Sequence, residues 1–183
     1  MESDKVYFAT SNRDKLKEAR ILLGIDVLGT ELKVDEVQSL DPEDVAEKKA
    51  KAYFEILKKP IFVEDTSLSI NALNGLPGTY IDAFMKVLGN EGIVKLLKNS
   101  KERGAVAQAT VVFVDSQGEL HTFIGKTHGN ISAKPKGVGF GWDPIFIPEG
   151  ESRTFGEMTL DEKNKYSMRA VALKKFKKWL DKN

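Results

Sequence analysis

Apolar and polar positions along this chain switch between a period of two and a period near 3.6. Val6-Tyr7-Phe8-Ala9-Thr10 is a short apolar run that reads as a buried strand, and Ser11-Asn12-Arg13 follows as a tight turn. Over 14–23 the period lengthens. Leu16, Ala19, Leu22 and Leu23 share one helical face, and Gly24 stops the helix. A strand is predicted over 32–37. Asp41-Pro42-Glu43-Asp44 opens a helix that runs to about Leu57: Asp serves as N-cap, Pro takes the first helical position, and acids face the positive end of the dipole. Ile61-Phe62-Val63 reads as a second short buried strand that ends on Glu64 and Asp65. Gly75-Leu76-Pro77-Gly78 is a turn, and helices are predicted over 80–88 and 91–97.

The middle of the chain is β-rich. Val106, Ala109 and Val111 to Val114 lead through a Ser116-Gln117-Gly118 turn into a returning strand over 120–124, which makes a hairpin. A glycine-rich stretch runs from Gly137 to Pro144. Thr159-Leu160-Asp161-Glu162 is a capping box, and a last helix over 168–180 lines up Ala172, Leu173, Phe176, Trp179 and Leu180. This order predicts an α/β protein with a mixed sheet. No repeat or linker composition divides it, so residues 1–183 read as one domain.

Composition narrows the chemistry. The 183 residues carry 28 Lys plus Arg against 27 Asp plus Glu, a net charge of +1, so no global field draws the chain to nucleic acid or membrane. Without cysteine, thiol catalysis, Cys-based metal sites and disulfides are excluded, and with only His121 and His128 a multi-histidine metal site nearly so. No apolar run approaches the roughly 18 residues of a membrane helix, and the leading residues lack a signal-peptide pattern. The expected compartment is the cytoplasm.

Four constellations could carry chemistry. Thr10-Ser11-Asn12-x-x-Lys15 places short polar groups and a lysine where a strand gives way to a helix N-terminus, a setting that suits phosphate; it equally fits an ordinary N-cap with a solvated lysine. Glu64-Asp65-Thr66 places adjacent carboxylates at a strand's carboxyl end, as at magnesium sites, with Glu36 as a further acid; these acids also fit caps and solvated turns. Phe140-Gly141-Trp142-Asp143-Pro144 could sandwich a planar base, or form a core aromatic cluster beside a turn. Lys163-Asn164-x-x-Ser167-Met168-Arg169 could reach a common ligand, or be surface charge.

Taken together and in order, these motifs resemble the inosine/xanthosine triphosphate pyrophosphatase family. The resemblance runs over nearly the whole chain. It rests on Ala9-Thr10-Ser11-Asn12-x-x-Lys15-x-x-Glu18, Val63-Glu64-Asp65-Thr66-x-Leu68, Leu73-x-Gly75-Leu76-Pro77-Gly78-x-Tyr80, Phe140-Gly141-Trp142-Asp143-Pro144-x-Phe146, and Glu157-Met158 with Glu162-Lys163-Asn164-x-x-Ser167-x-Arg169. It implies a two-lobed α/β fold with a long central mixed sheet, flanking helices and a nucleotide cleft between the lobes. It also implies a homodimer, a Mg²⁺ cofactor, and hydrolysis of ITP, dITP and XTP to monophosphate and pyrophosphate. By the same resemblance, Thr10, Ser11, Asn12 and Lys15 would hold phosphates, with Thr66 nearby. Glu36 and Asp65 would hold Mg²⁺, Asp65 would also place or deprotonate the attacking water, and Lys49 would contact phosphate. Phe140 would stack on the base, Gly141, Trp142 and Asp143 would complete its pocket, and Lys163 and Arg169 would reach the base edge.

The chain departs from the family pattern at Met168, where the family usually has histidine in Ser-His-Arg. Methionine offers only a weak sulfur acceptor, which bears on base selection more than on catalysis. Two other readings stand beside this one. A Maf-like pyrophosphatase of pyrimidine or modified triphosphates would carry an arginine-rich motif after a Ser-Pro turn, which Ser11-Asn12-Arg13-Asp14-Lys15 lacks. A catalytically silent nucleotide-binding module would not need Glu36, Lys49, Glu64 and Asp65 together.

Overall fold

The computed structural model describes residues 6–30 and 32–183; the leading segment 1–5 lies outside it. The elements are β1 (Val6–Ala9), α1 (Arg13–Leu23), β2 (Val27–Thr30), α2 (Pro42–Leu57), β3 (Ile61–Ile70), β4 (Pro77–Gly78), α3 (Ile81–Leu96), β5 (Gly104–Val114), β6 (Leu120–Ile131), β7 (Phe146–Pro148), α4 (Leu160–Lys163) and α5 (Met168–Leu180). Seven strands form one mixed sheet in the order β2-β1-β3-β5-β6-β7, with β4 also on β3. β1 is parallel to both β2 and β3, whereas β4 on β3 and β7 on β6 are antiparallel. The α/β mixed-sheet expectation is met.

Helix ends follow local chemistry. Asn12 Oδ1 accepts from the amides of Asp14 and Lys15 to cap α1, and Gly24 ends it in the left-handed conformation. Asp41 Oδ1 accepts from Glu43 N to cap α2. Thr159 and Glu162 close the capping box of α4. The two helices expected over 80–88 and 91–97 are one element interrupted at Gly89.

Three strand expectations change, the first being the returning hairpin strand, which runs on past 124 to Ile131. The segment 32–37 is irregular, and the edge strand is β2 instead. Leu32 and Val34 do pack on a buried cluster, so the alternation is real, but among the described residues no strand pairs there. β2 escapes pattern reading because Gly29 interrupts it; a Cβ at Gly29 would lie 2.9 Å from Leu16 Cδ2, so glycine lets α1 approach. The strand expected to stop at Val63 continues to Ile70, with Leu68 opposite Gly78 and Ser69 opposite Pro77 on β4.

The chain forms two compact units. The first comprises residues up to Asp65, Ala109–Gly125 and Val171–Asn183; the second comprises Thr66–Gln108 and Lys126–Ala170. In the first unit the sheet carries a buried layer on each face. Ile61, Val63, Val112 and Val114 meet Ala46, Ala50 and Tyr53 of α2 on one side. On the other, Phe8 stacks on Phe62 at 4.3 Å, and Phe176 of α5 lies 5.2 Å from Phe62, 5.1 Å from Phe113 and 5.2 Å from Phe123. No helix among the described residues is long and apolar enough to cross a membrane. Because Phe176 is fully buried against three other rings, Phe176→Ala is expected to lower unfolding free energy by about 3–5 kcal/mol. Urea denaturation with an unchanged m-value checks this; a loss near zero would mean the layer does not depend on that ring.

Candidate active site

The pleat of β3 decides where its acids go. Successive side chains on a strand point to opposite faces. Ile61 and Val63 face α2, so Asp65 does too; Phe62 faces the aromatic layer, so Glu64 points to that side. The neighbouring β1 ends at Ala9, and its pairing with β3 covers Tyr7 with Ile61 and Phe8 with Phe62. Glu64 and Asp65 therefore lie just past the carboxyl end of β1, in the interior of β3 and not at its end as the sequence pattern predicts.

Each acid meets a lysine from the helix on its own face. Lys15, in the first turn of α1, has Nζ 3.4 Å from Glu64 Oε1, whose side chain is 1% exposed. Lys49 of α2 shares a face with Ala46, Ala50 and Tyr53, and its Nζ lies 2.7 Å from Glu36 Oε1 and 3.8 Å from Asp65 Oδ1. Burial pulls the Lys49 ammonium toward lower pKa, but the hydrogen bond to Glu36 and the charges of Asp65 and Glu36 outweigh it, and the net direction is upward. Lys49 thus stays a cation at neutral pH. One turn on, burial raises the Tyr53 hydroxyl. Glu36 sits in the irregular segment after β2, its side chain about half exposed.

At the start of α1, Thr10 Oγ1 accepts from Asn12 N, and the Asn12 carbonyl end serves the cap. The N-cap reading is therefore realised. For an anion, the Asn12 NH₂ end, the Thr10 and Ser11 hydroxyls and Lys15 still offer donors. A cavity of about 340 Å³ opens here, lined by Thr10, Ser11 and Asn12 together with Arg13 and Arg20, two cations that the motif reading did not single out.

The donor set can be tested against Mg²⁺. Glu36 and Asp65 each place a carboxylate oxygen within reach of a single cationic atom, Lys49 Nζ. These are hard oxygen donors from two carboxylates, the complement Mg²⁺ takes when substrate phosphates and waters supply the rest. No group of three or more metal-ligating side chains occurs among the described residues. Adjacency in sequence does not bring Glu64 and Asp65 to one site; the pleat separates them.

The second unit holds the aromatic motif. Phe140 N donates to Asp143 Oδ2 at 3.1 Å, and Asp143 N donates to Phe140 O at 3.1 Å, which closes a turn with Gly141 at φ 58° inside it. Lys163 Nζ donates to the same Asp143 oxygen at 2.7 Å; both side chains are about nine-tenths buried. The two aromatics part company. Trp142 is 7% exposed and meets Phe146 edge-on at 5.5 Å, whereas Phe140 is 45% exposed. Trp142 is thus core, and Phe140 presents a face to solvent. Met168 and Arg169 are both buried at the start of α5, so the surface-charge reading of Lys163 and Arg169 does not hold. The buried Ser167 Oγ has no hydrogen-bond partner among the described residues. Thr66, partly buried, follows Asp65 on β3. Asn90, which no motif flags, donates from Nδ2 to Gly141 O at 3.0 Å; the helix-breaking Gly89-Asn90 pair was its one signal in the sequence.

Comparison with known proteins gives a consistent result. The chain is 43% identical over 183 residues to a protein of Thermococcus kodakarensis named dITP/XTP pyrophosphatase, covering 98% of each. It is 38% identical over 189 residues to an inosine triphosphate pyrophosphatase of Kluyveromyces lactis, covering 98% of this chain and 97% of that one. A solved HAM1 protein from Coxiella burnetii matches with a TM-score of 0.86 at 26% identity, over 98% of this chain and 99% of that one. The family profile described as Ham1 matches residues 6–179. With its motifs, its sheet and these matches in agreement, the chain belongs to the Ham1 family.

Proposed function

We propose that this protein hydrolyses non-standard purine nucleoside triphosphates, ITP, dITP and XTP, to the monophosphate and pyrophosphate, and so clears deaminated purines from the nucleotide pool. The observation that carries this reading is the pair of lysines, each held by carboxylates on opposite faces of β3, in a chain alike from end to end to named dITP/XTP and inosine triphosphate pyrophosphatases.

The chemistry follows from charge. Water oxygen bonds to the α-phosphorus, the bridging α–β bond breaks, and its electron pair leaves with pyrophosphate. Asp65 orients that water and takes its proton. Lys15 and Lys49, with the hydroxyls of Thr10 and Ser11, the Asn12 amide and Thr66, neutralise the phosphate oxygens as charge develops. Glu36, Lys49 and Asp65 bring two carboxylates to one ammonium. Mg²⁺ held by Glu36 and Asp65 would add positive charge there and polarise the phosphate. No covalent nucleophile is needed, in keeping with a chain that has no cysteine.

Phe140, half exposed beside a closed turn, stacks on the purine, and Lys163, Asp143 and Arg169 set the base edge. We further propose a cytoplasmic homodimer; the molecular mass in solution tests the dimer. A panel of nucleoside triphosphates assayed for both products, with and without Mg²⁺, tests the function. Release of pyrophosphate from ITP and XTP well above ATP supports it, and no turnover of any purine triphosphate contradicts it.

Lys15→Ala and Lys49→Ala are each expected to weaken triphosphate binding by about 1.5–3 kcal/mol while leaving inosine binding near native. Calorimetry with both ligands checks this; equal losses would place the lysines away from the phosphates.

Met168→His is expected to raise the ITP-over-GTP ratio of kcat/KM by about a few-fold to tenfold. Histidine adds a polar contact to the base where methionine gives only adaptable apolar contact. Inosine and guanosine share the 6-keto acceptor, so the 2-amino group must be excluded by fit. An unchanged or lower ratio would show that base selection does not depend on this position.

A further inference from the structure

Asn90 has no part in the mechanism above, yet its setting is specific. α3 breaks at Gly89, where φ 62° and ψ −175° lie in a region open essentially to glycine alone. A Cβ at Gly89 would meet nothing within 4 Å, so the backbone and not space requires glycine there. The break starts the next helical segment on Asn90, whose Nδ2 donates to Gly141 O at 3.0 Å from 51 positions away in sequence. The Oδ1 of the same amide is buried without a partner among the described residues. A buried acceptor left unpaired disfavours the fold. If α3 needed only packing here, an apolar side chain of the same size would serve better.

What asparagine supplies is the donor on Gly141. The ends of the turn are already fixed: Phe140 N and Asp143 Oδ2 are bonded, Asp143 N bonds Phe140 O, and Lys163 anchors Asp143. Gly141 is the apex, in the left-handed conformation and with nothing within 4 Å of its Cβ position. The Asn90 amide holds that apex. Phe140 stands immediately before it, so the backbone that carries the exposed ring runs directly into the residue that Asn90 holds.

We propose that Asn90 is a positioning residue for the base-stacking turn, its amide fixing the Gly141 carbonyl and through it the Phe140 ring. This rests on the reading of Phe140 as the group that stacks on the purine. The role concerns the base and not the phosphates, so it moves KM more than kcat.

The test uses two variants of the full chain. Asn90→Leu keeps the size and removes both polar ends. Asn90→Asp keeps the shape but sets an acceptor against the Gly141 oxygen. In both, KM for ITP is expected to rise about five- to twentyfold with kcat within about threefold of native. Inhibition by inorganic tripolyphosphate, which has no base, should be unchanged. Amide exchange at Phe140 and Asp143 should quicken by about tenfold or more, with the melting temperature of Asn90→Leu at or above native. Should the native protein release no pyrophosphate from ITP, the functional reading fails and exchange still decides. Faster exchange confined to the turn upholds the positioning role. Native exchange rates at Phe140 and Asp143 in whichever variant folds would overturn it, as would a native KM for ITP.

Discussion

The alternation of side chains along β3 is the constraint on which the site depends. Two adjacent acids on a strand cannot share a partner, because the pleat sends them to opposite faces. Glu64 goes with Phe62 toward the α1 and α5 side, and Asp65 goes with Val63 toward α2. A buried carboxylate without a counter-charge costs several kcal/mol, so each face needs its own cation. Lys15 and Lys49 meet that need from two different helices. The layers then have little freedom. α1 must start immediately after β1 to bring Lys15 to Glu64, and α2 must lay Ala46, Ala50 and Tyr53 on the sheet for Lys49 to lie near Asp65.

The two lysines are not equivalent. Lys15 faces a nearly inaccessible Glu64, an ion pair that holds its ammonium close to the start of α1. Lys49 faces two acids, Glu36 and Asp65, of which Glu36 is the more exposed. The two carboxylates keep Lys49 protonated, since both favour the ammonium form.

What could be read from the sequence was mostly local. The caps at Asn12, Asp41 and Thr159, the stop at Gly24 and the break near Gly89 depend on residues a few positions apart, and each appears in the structure. Features whose partners are distant in sequence leave no such local mark. The alternation at Leu32 and Val34 serves packing without a ladder, and β2 hides behind Gly29, where Leu16 approaches closely. β3 continues past its acids because β4 pairs with it farther on. β4 and β7, of two and three residues, are too short to leave a period. Phe140 and Trp142 look alike in the motif, and only packing on Phe146 makes one core and leaves the other exposed. The contact of Asn90 with Gly141 spans too much sequence to be seen without the fold.

The claim that the charges around β3 form a hydrolytic centre is tested most directly at Asp65. Asp65→Asn preserves shape and removes the charge that faces Lys49. Pyrophosphate release from ITP, measured with saturating Mg²⁺ at neutral pH, should fall by about 10²-fold or more, while ITP binding and the unfolding transition stay close to native. Near-native turnover in this variant would contradict the assignment of Asp65 and, with it, the placement of the reaction at this end of β1.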